Sequence, residues 1–391
     1  MSAIDGKKIA IVGGGPGGLT LARLLQQSGA QVAVYERDQS RNALVQGSAL
    51  DLHEDSGLAA LEAAGLREAF WANHRPDLDN LRLTDANGTV LHDHPRRTSG
   101  PGKRPEIERG PLRDLLVDSL EPDTVHWDCK LESSEVQGEQ VSLRFANGQT
   151  SVADIAIGSD GANSRMRELV TPVGPQYVGV SLVEGLVPAA KHAIPELWDL
   201  LGGVALIALG GERTIGMGTK PEGSVLFYAG LKTDDPAARQ SLEEAIGPDQ
   251  RVRWFHANFK GWSDLWEPLF REAVLMVWRP LLVCPMDQHW TPKANVTLIG
   301  DAAHVMPLYA GEGVNMAMLD ALVLSKFLLS ADTPGNAIAA YETEMFSRMR
   351  SMTVDTMVNT EMFYAPEACK RVVALFRSFV GGETVPPARE A

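Results

Sequence analysis

The sequence predicts an α/β fold that combines a Rossmann-type nucleotide-binding domain with an antiparallel-sheet domain and a long C-terminal helix. A short apolar run at residues 8–12 is followed by a glycine cluster at residues 13–18 and then by apolar residues at helical spacing. Between about residues 177 and 278 the chain is instead a succession of strand-like runs. A third pattern marks one face of a long helix near the C-terminus: Ile338, Tyr341, Met345, Met349 and Met352.

Composition makes several classes of protein improbable. The 391 residues are enough for two or three domains, and 44% of them are apolar, which is ample for a packed core. A net charge of −14 opposes binding to nucleic acid or to an anionic membrane. Three widely spaced cysteines fit neither a metal site nor a complete disulfide framework, so we expect a reducing cytoplasm. The longest weakly polar run, residues 200–211, is too short to span a bilayer, and we expect no export signal.

The elements before residue 176 predict a domain that is interrupted rather than finished. Residues 31–36 supply the second strand of the βαβ unit. Residues 81–91 alternate like a hairpin with Asn87-Gly88 as its turn, and residues 141–157 do the same around Asn147-Gly148.

The later elements comprise the second sheet, a return strand and helices. Strands of the sheet are predicted at residues 178–186, 204–209, 214–218 and 225–231. Residues 296–300 then form a buried strand that returns to the first domain, and residues 314–329 follow as a helix. We interpret the methionine face of the long C-terminal helix, which continues to about Phe363, as core packing.

Gly13, Gly15 and Gly18 form the Gly-x-Gly-x-x-Gly fingerprint between a strand and a helix, as dinucleotide binding requires. Larger side chains there would block the pyrophosphate or the packing of the helix. Glu36 ends the second strand, where an acid accepts hydrogen bonds from ribose hydroxyls. The pattern predicts an adenine dinucleotide but does not distinguish NAD from FAD.

A second motif, after the strand at residues 296–300, favours FAD. Asp301 stands at the strand end, where a carboxylate can hold a ribityl hydroxyl. Glycines before the next helix would let its N-terminal amides approach a large planar ring. The residues concerned are Pro307, Gly311, Gly313 and Asn315. Between the two motifs, Asp160 opens another strand-end turn that runs to Arg165.

With these motifs the chain resembles the single-component FAD-dependent aromatic monooxygenases of the para-hydroxybenzoate hydroxylase type, over about residues 7–365. Within that family it is most similar to the tetracycline-inactivating monooxygenases, the tetracycline destructases. Three local matches carry this likeness: Gly47-Ser48-Ala49-Leu50-Asp51-Leu52-His53, Pro105-Glu106-Ile107-Glu108-Arg109 with Leu112-Arg113, and Glu361-Met362-Phe363. The first match implies that Asp51 lies near the flavin.

The resemblance also implies which other residues meet the cofactor. Glu36 and Arg37 would flank the AMP half of FAD, and Arg113 would contact the flavin-bearing half. Asp301 would meet the ribityl and pyrophosphate region, and residues 307–315 the ring.

The resemblance implies a reaction in which NAD(P)H reduces FAD and the reduced flavin uses O2 to hydroxylate an electron-rich phenol or enol. The cofactor carries that chemistry, so no catalytic side chain is predicted. Because the sequence has one dinucleotide fingerprint, NADPH or NADH would visit transiently as the reductant.

Three residues are candidates for substrate binding. Glu184 lies on a predicted strand where the tetracycline enzymes use a polar contact, and the alternative is a strand residue that faces outward. Met217 would line an apolar pocket on the same sheet, and Met362 belongs to the third local match. The destructase pattern also has an arginine on this sheet, whereas Arg213 falls in a predicted turn.

Other charged residues have two interpretations. A basic loop would either attract the phosphates of a nicotinamide dinucleotide or be solvated. Its members are Arg96, Arg97, Lys103 and Arg104. Leu44 replaces a basic residue of the destructase pattern, with Arg41 nearby, which leaves NADPH and NADH open. We interpret His304 as satisfied by local backbone rather than as catalytic.

We therefore expect a discontinuous FAD-binding domain at residues 1–75, 106–175 and 281–330. The substrate-binding domain would take residues 76–105 and 176–280, followed by a bridging helix at 331–380 and a tail at 381–391.

The expected function is hydroxylation of a phenolic or enolic polycycle, with inactivation of tetracycline-type antibiotics as its most specific form. The alternatives are hydroxylation of another aromatic metabolite and a non-catalytic flavoprotein that sequesters an aromatic drug. We expect a monomer whose partners are the small polycyclic substrate and O2, with no metal, nucleic acid or membrane.

Overall fold

The computed structural model describes residues 2–43, 47–76, 80–93 and 104–381. The chain divides into two compact units, and each takes its residues from three separate stretches. The first unit comprises Met1–Arg75, Lys103–Gln176 and Leu282–Met357. The second comprises Pro76–Gly102, Tyr177–Leu281 and Val358–Ala391.

The described residues form 17 strands and 13 α-helices. The strands of the described residues are β1 Lys8–Val12, β2 Gln31–Tyr35, β3 Leu50–Asp51, β4 Leu81–Asp85, β5 Val90–Asp93, β6 Glu106–Ile107, β7 Val125–His126, β8 Leu131–Gln137, β9 Gln140–Phe145, β10 Thr150–Ala153, β11 Ile155–Gly158, β12 Gln176–Val187, β13 Ala205–Gly210, β14 Arg213–Thr219, β15 Val225–Lys232, β16 Leu275–Val283 and β17 Val296–Leu298. The α-helices are α1 Pro16–Gln26, α2 Gly57–Ala63, α3 Arg67–Asn73, α4 Arg109–Asp118, α5 Ala190–Ala193, α6 Pro195–Leu201, α7 Pro236–Glu243, α8 Pro248–Asn258, α9 Glu267–Glu272, α10 Asp301–His304, α11 Gly313–Ser330, α12 Pro334–Phe363 and α13 Ala368–Gly381.

The first unit is built on a parallel sheet with the strand order β17-β11-β1-β2-β7, which contains the predicted βαβ unit. β1 lies between β11 and β2, and Ile9 is level with both Ile155 and Val32. Strands of a parallel sheet are covered on both faces, so they have continuous apolar sequences, as β1 does. α1 and α11 pack so closely that a Cβ atom at Gly17 would lie 2.9 Å from the carbonyl oxygen of Ala317.

The predicted hairpin around Asn147-Gly148 is present as β9 and β10, which form an antiparallel sheet with β8. Its second predicted strand, residues 151–157, is divided, because β11 leaves this sheet and joins the parallel one. At the division, the carboxylate of Asp154 accepts a hydrogen bond of 2.8 Å from the backbone N–H of Lys8. This contact fixes the point at which the chain changes sheets.

The second unit contains a seven-stranded sheet with the order β16-β12-β15-β14-β13-β4-β5. The four predicted strands are present as β12 to β15, and the hairpin predicted at residues 81–91 is β4 and β5. One face of the sheet packs against α5 to α9. Large aromatic side chains fill this core: Trp254, Phe255, Phe259, Trp266 and Phe270.

The sequence analysis did not predict β16. Its apolar sequence contains Pro280, which has no N–H to donate and therefore argues against a central strand. Among the strands that the structure describes, β16 pairs only with β12, at the edge of the sheet, where a proline is tolerated.

The C-terminal segment forms two helices, although one helix was predicted over residues 331–380. α12 ends at Phe363, and α13 begins at Ala368. Pro366 lies between them, and a proline disfavours helical geometry at the residue before it and lacks a helical N–H donor. The predicted methionine face of α12 is confirmed as core, because Met345 and Met349 are buried in the first unit.

One helix of the described residues, α11, is long and apolar enough to cross a membrane. It packs in the core of the first unit and carries Asp320, whose side chain is fully buried.

Candidate active site

The glycine-rich turn between β1 and α1 is shaped by close backbone contacts. Gly13 has a φ of +109°, and a Cβ atom there would lie 2.2 Å from the carbonyl oxygen of Ser159. A Cβ atom at Gly18 would lie 2.2 Å from the carbonyl oxygen of Gly13. Over Gly15, by contrast, a Cβ atom would meet nothing within 4 Å. α1 therefore begins beside open space, with first-turn amides that have no partner within the helix.

Glu36 closes this turn from the end of β2. Its Oε2 accepts a hydrogen bond of 2.5 Å from the N–H of Gly14, and its Oε1 accepts one of 2.9 Å from the N–H of Asp38. An ionised carboxylate has about four acceptor sites, so two remain for other donors such as ribose hydroxyls. Arg37, the next predicted contact of the AMP half, is exposed.

Asp160 holds the turn that follows β11. Its carboxylate accepts hydrogen bonds from the Ser164 hydroxyl at 2.6 Å and from the N–H groups of Arg165 and Met166 at 2.8 and 3.3 Å. These contacts fix the loop beside Gly13, so the structure gives Asp160 a positioning role in the predicted cofactor site.

Asp301 begins α10 at the end of β17. Solvent reaches this residue, yet protein surrounds its carboxylate closely enough for burial to raise its pKa, while His304, Arg109 and Arg167 lower it. The carboxylate of Asp301 also lies beside the start of α11. A Cβ atom at Gly313, the first residue of α11, would lie 3.9 Å from Oδ1 of Asp301. Asp301 and the N-terminus of α11 therefore lie side by side.

Asn315 ties the start of α11 to the segment around β3. Its Oδ1 accepts a hydrogen bond of 2.9 Å from the N–H of His53, and its Nδ2 donates to the carbonyl oxygens of Asp51 and Gly311, both at 2.9 Å. Both amide hydrogens are thus used within the protein. Gly311 has a φ of +68°, and a Cβ atom there would lie 2.8 Å from Oδ2 of Asp51. Pro307, at the start of the same loop, is buried.

Arg113, the predicted contact of the flavin-bearing half, holds the segment after β2. Nη1 donates to Asp38 at 3.1 Å, and Nη2 donates to the carbonyl oxygens of Arg41 and Ala43 at 2.6 and 2.7 Å. Its buried Nε has no hydrogen-bond partner among the described residues. Leu44, the next residue considered for nicotinamide binding, lies outside the described residues.

His304 is paired with a carboxylate, so the interpretation of local backbone satisfaction is wrong. Its Nε2 lies 2.5 Å from Oδ2 of Asp320. The Asp320 carboxylate also accepts 2.6 Å and 2.8 Å hydrogen bonds from Arg348 Nη2 and the N–H of Gly300. Burial raises the pKa of Asp320, but these neighbours together hold it below the ordinary value. The network joins α10, α11 and α12, and sequence spacing gave no signal for it.

Glu184 is buried in β12, and Oε2 accepts a hydrogen bond from Nε of Arg279 in β16. The alternative of an outward-facing strand residue is therefore wrong. Arg279 is a basic residue that the sequence analysis missed, because β16 was not predicted. We use the term Glu184 face for the surface of this sheet opposite α5 to α9. It carries Glu184, Arg279, Tyr228, Gly216 and Thr214.

Met217 lies on the other face, which corrects its prediction as a substrate contact. The strand register pairs both Glu184 and Gly216 with Tyr228, so these three residues share a face. Met217 follows Gly216 in the strand and points the opposite way. It is 4% exposed and packs in the helix-covered core with Leu206.

Met362 is half-buried in the last turn of α12, close to a tyrosine that contacts the Glu184 face. The hydroxyl of Tyr364 lies 3.1 Å from Oγ1 of Thr214. A Cβ atom at Gly230 would lie 1.9 Å from that hydroxyl, so a glycine is needed for the ring to lie against the sheet.

Arg104 is the one member of the basic loop that the structure describes, since Arg96, Arg97 and Lys103 lie outside the described residues. Its guanidinium lies among Asp51, His53 and the carbonyl oxygen of Ala310. The interpretation of Arg104 as merely solvated is therefore incomplete.

The residues present in the first unit fit FAD. Open space over Gly15 adjoins the free amides of α1, which is the arrangement that binds a pyrophosphate. Asp301 offers a hydroxyl acceptor next to the first-turn amides of α11. The fit rests on three residues, Gly15, Glu36 and Asp301. Their contacts do not involve one another.

Comparison with known proteins identifies the class. A family model described as an FAD binding domain matches residues 7–181 and 288–355, which is more than half of the chain. Monooxygenase penA from Penicillium thymicola is 30% identical over 93% of this chain and 97% of that protein. The 3-amino-4-hydroxybenzoate 2-monooxygenase PtnB3 from Streptomyces platensis is 29% identical over 92% of this chain and 89% of that protein.

Solved structures share the fold. The tetracycline destructase Tet(55) superposes with a TM-score of 0.76 at 20% identity, covering 96% of this chain and 95% of that one. HpxO from Klebsiella pneumoniae, complexed with FAD and uric acid, has a TM-score of 0.74 at 20% identity, with 95% and 92% covered.

The chain belongs to the FAD binding domain family, and within it to the FAD-dependent aromatic monooxygenases and hydroxylases. It is therefore an oxidoreductase that uses FAD, O2 and a small-molecule substrate. The alternative of a non-catalytic flavoprotein is wrong, because relatives that align over nearly the whole chain are named enzymes.

Proposed function

We propose that this monooxygenase takes electrons from NADH or NADPH and hydroxylates a phenolic or enolic polycycle bound at the Glu184 face, with tetracycline-type compounds as the most specific case. One observation carries the proposal, namely a buried carboxylate paired with an arginine on a sheet face that also contains glycine.

The Glu184 face supports a broad planar ligand with a polar edge. Glu184 is 2% exposed, whereas the side chain of Arg279 is 38% exposed, so solvent reaches the arginine of the pair. A Cβ atom at Gly216 would meet nothing within 4 Å, which leaves room over the sheet. Apolar pockets with a few fixed polar groups orient ligands in this way.

We assign the residues of the first unit to the cofactor by their contacts. The α1 amides and the space over Gly15 would hold the pyrophosphate, Glu36 the ribose and Asp301 the ribityl chain. FAD supplies the activation of O2 and the transfer of one oxygen atom. The first-turn amides of α11 would stabilise negative charge on the ring, because a helix N-terminus carries a partial positive charge.

The reductant has no dinucleotide fingerprint of its own in the sequence, which supports transient binding of NAD(P)H. Arg41, the basic residue closest to Leu44, is engaged by Asp114 and Asp118 at 3.1 and 2.5 Å. These ion pairs argue against Arg41 as a dedicated site for a 2′-phosphate, so NADH and NADPH must be compared directly.

A second candidate function is hydroxylation of a single-ring hydroxy acid. Two observations favour it. One relative at 29% identity is named for 3-amino-4-hydroxybenzoate, and Arg279 offers positive charge to a carboxylate at the Glu184 face. The likeness in fold to a tetracycline destructase supports the larger substrate instead.

A test follows NADH and NADPH oxidation by FAD-loaded protein with tetracycline, with 3-amino-4-hydroxybenzoate and with neither. The proposal predicts oxidation that tetracycline stimulates, and a product heavier by one oxygen atom. Stimulation by the hydroxybenzoate alone would replace the proposal with the second candidate. Absence of stimulation by a wider panel of polycyclic phenols and enols would contradict the proposed substrate class.

A further inference from the structure

Four charged side chains meet beside the loop that leads into α11. We call them the His53 cluster: Asp51, His53, Arg104 and Glu312. Nε2 of His53 lies 3.1 Å from Oδ2 of Asp51, and Nδ1 lies 3.3 Å from Oε1 of Glu312. The second Glu312 oxygen, Oε2, is buried and has no hydrogen-bond partner among the described residues.

Both ring nitrogens of His53 therefore face carboxylates, and these come from different segments. A neutral imidazole has a single N–H and can donate to one of them, whereas an imidazolium donates to both. Burial lowers the pKa of His53, but the hydrogen bonds to Asp51 and Glu312 outweigh it and raise the pKa to about 9. The charged ring is thus the form that joins β3 to the loop before α11.

Arg104 competes with Asp51 for Nε2 of His53, and its charge lowers the pKa of the ring. Its Nε lies 2.6 Å from Nε2 of His53, a contact that only a neutral ring can accept. The same Nε lies 3.1 Å from Asp51, and Nη2 donates to the carbonyl oxygen of Ala310 at 2.8 Å. Because its side chain is half exposed, Arg104 can move away from a charged ring and keep Asp51 and Ala310 as partners. One proton on Nε2 therefore decides whether His53 donates to Asp51 or accepts from Arg104.

The loop that this cluster holds carries the proposed ring site. Glu312 directly precedes α11, and a Cβ atom at Gly311 would lie 2.8 Å from Oδ2 of Asp51. When His53 loses its proton, one carboxylate loses its donor and the cluster gains a net negative charge. The lost hydrogen bond disfavours the loop geometry that would bind FAD. The added negative charge repels an anionic dinucleotide.

We propose that His53 is a positioning residue whose charged ring bridges Asp51 and Glu312, holds the loop at residues 308–312 for FAD, and releases FAD when it loses its proton. The inference rests on the proposed placement of the flavin beside residues 307–315.

The test measures the dissociation constant of FAD by fluorescence titration from about pH 6.5 to pH 10, on either side of the His53 transition. Wild-type affinity should fall by about fivefold over this range, if FAD binding raises the pKa of His53 by about one unit. H53Q should bind more weakly at neutral pH and show little further loss. H289Q removes an exposed histidine of the first unit and should behave as wild type, which also corrects for ionisation of the flavin itself.

A pH dependence in H53Q equal to that of wild type would overturn the inference. If H53Q does not fold, E312Q replaces it, since loss of one carboxylate should move the transition to lower pH, and an unchanged transition would equally overturn the inference. D301A distinguishes failure of the role proposed for His53 from failure of the proposed flavin position. Unchanged FAD affinity in D301A would refute the placement, whereas weak binding in D301A with a normal pH profile in H53Q would refute only the role of His53.

Discussion

At the scale of single residues, the candidate site contains two kinds of polar side chain. Asn315, Asp160 and Arg113 already make several hydrogen bonds within the protein, so they hold segments in place. Asp301 differs, because the residue is exposed to solvent beside the start of α11. This contrast distinguishes residues that shape the cofactor site from one that would touch the cofactor.

Asp301→Ala should weaken FAD binding by roughly 10- to 100-fold, because a hydrogen bond to a charged group contributes about 1.5–3 kcal/mol. The measurement is FAD titration of the apoprotein. Asp332→Ala, which removes an exposed aspartate between α11 and α12, is the control and should leave the affinity unchanged. Equal affinities of the two variants would show that Asp301 is not a FAD contact.

Glu184→Gln should change substrate affinity and leave FAD content intact, because the substitution removes the charge that fixes Arg279 on the Glu184 face. Because Arg279 is partly exposed, the effect should be about 1.5–3 kcal/mol, the range for a hydrogen bond between charged groups. Met217→Leu is the matched control on the opposite face, and it should retain substrate affinity. Substrate binding at the Glu184 face would be contradicted if Met217→Leu altered substrate affinity and Glu184→Gln did not.

At the scale of elements, predictions held where the signal is local. The strand, glycine turn and helix at residues 8–26, the Asn-Gly hairpins and the methionine face of α12 each follow from neighbouring residues. β16 was missed because Pro280 is compatible only with an edge strand, and no neighbouring residue indicates that this segment lies at the edge of the sheet. Met217 was misplaced because the faces of different strands are related only through their register.

The contacts of Asp320 show the same limit, since they join three elements that are distant in sequence. Arg348→Met would leave a buried carboxylate without its cationic partner, which costs about 3–5 kcal/mol in the free energy of unfolding. Arg350→Met, on the exposed side of the same helix, should cost less than about 0.5 kcal/mol. Denaturant unfolding of both variants measures the difference, and a similar small loss in each would contradict the assigned role of the network.

At the scale of the whole molecule, stability should depend on pH through the same carboxylate. The folded pKa of Asp320 is held below its ordinary value despite burial. The associated stability is therefore present above the unfolded pKa, about 4, and is lost as the pH falls further. Wild type should be more stable than Asp320→Asn at pH 7, and the two melting temperatures should converge in acid. Parallel curves down to about pH 3 would contradict this linkage.

For the whole molecule, only part of the function could be predicted from the sequence. The glycine fingerprint and the residues around Asp301 sufficed to predict an FAD-binding domain, because close backbone approach requires particular residues at fixed spacing. The monooxygenase activity was implied by the resemblance to a known family. The substrate could not be predicted in the same way. The side chains of the Glu184 face come from separate strands, and their common surface exists only after the sheet has formed.

The most direct test of the central claim uses FAD-loaded protein, NADH or NADPH, heavy-isotope O2 and a phenolic or enolic polycycle such as tetracycline. If the protein hydroxylates a polycycle, oxidation of the reductant should depend on the polycycle, and the product should carry one heavy oxygen atom from O2. A product labelled from water, or reductant oxidation that yields hydrogen peroxide and leaves every polycycle unchanged, would contradict it.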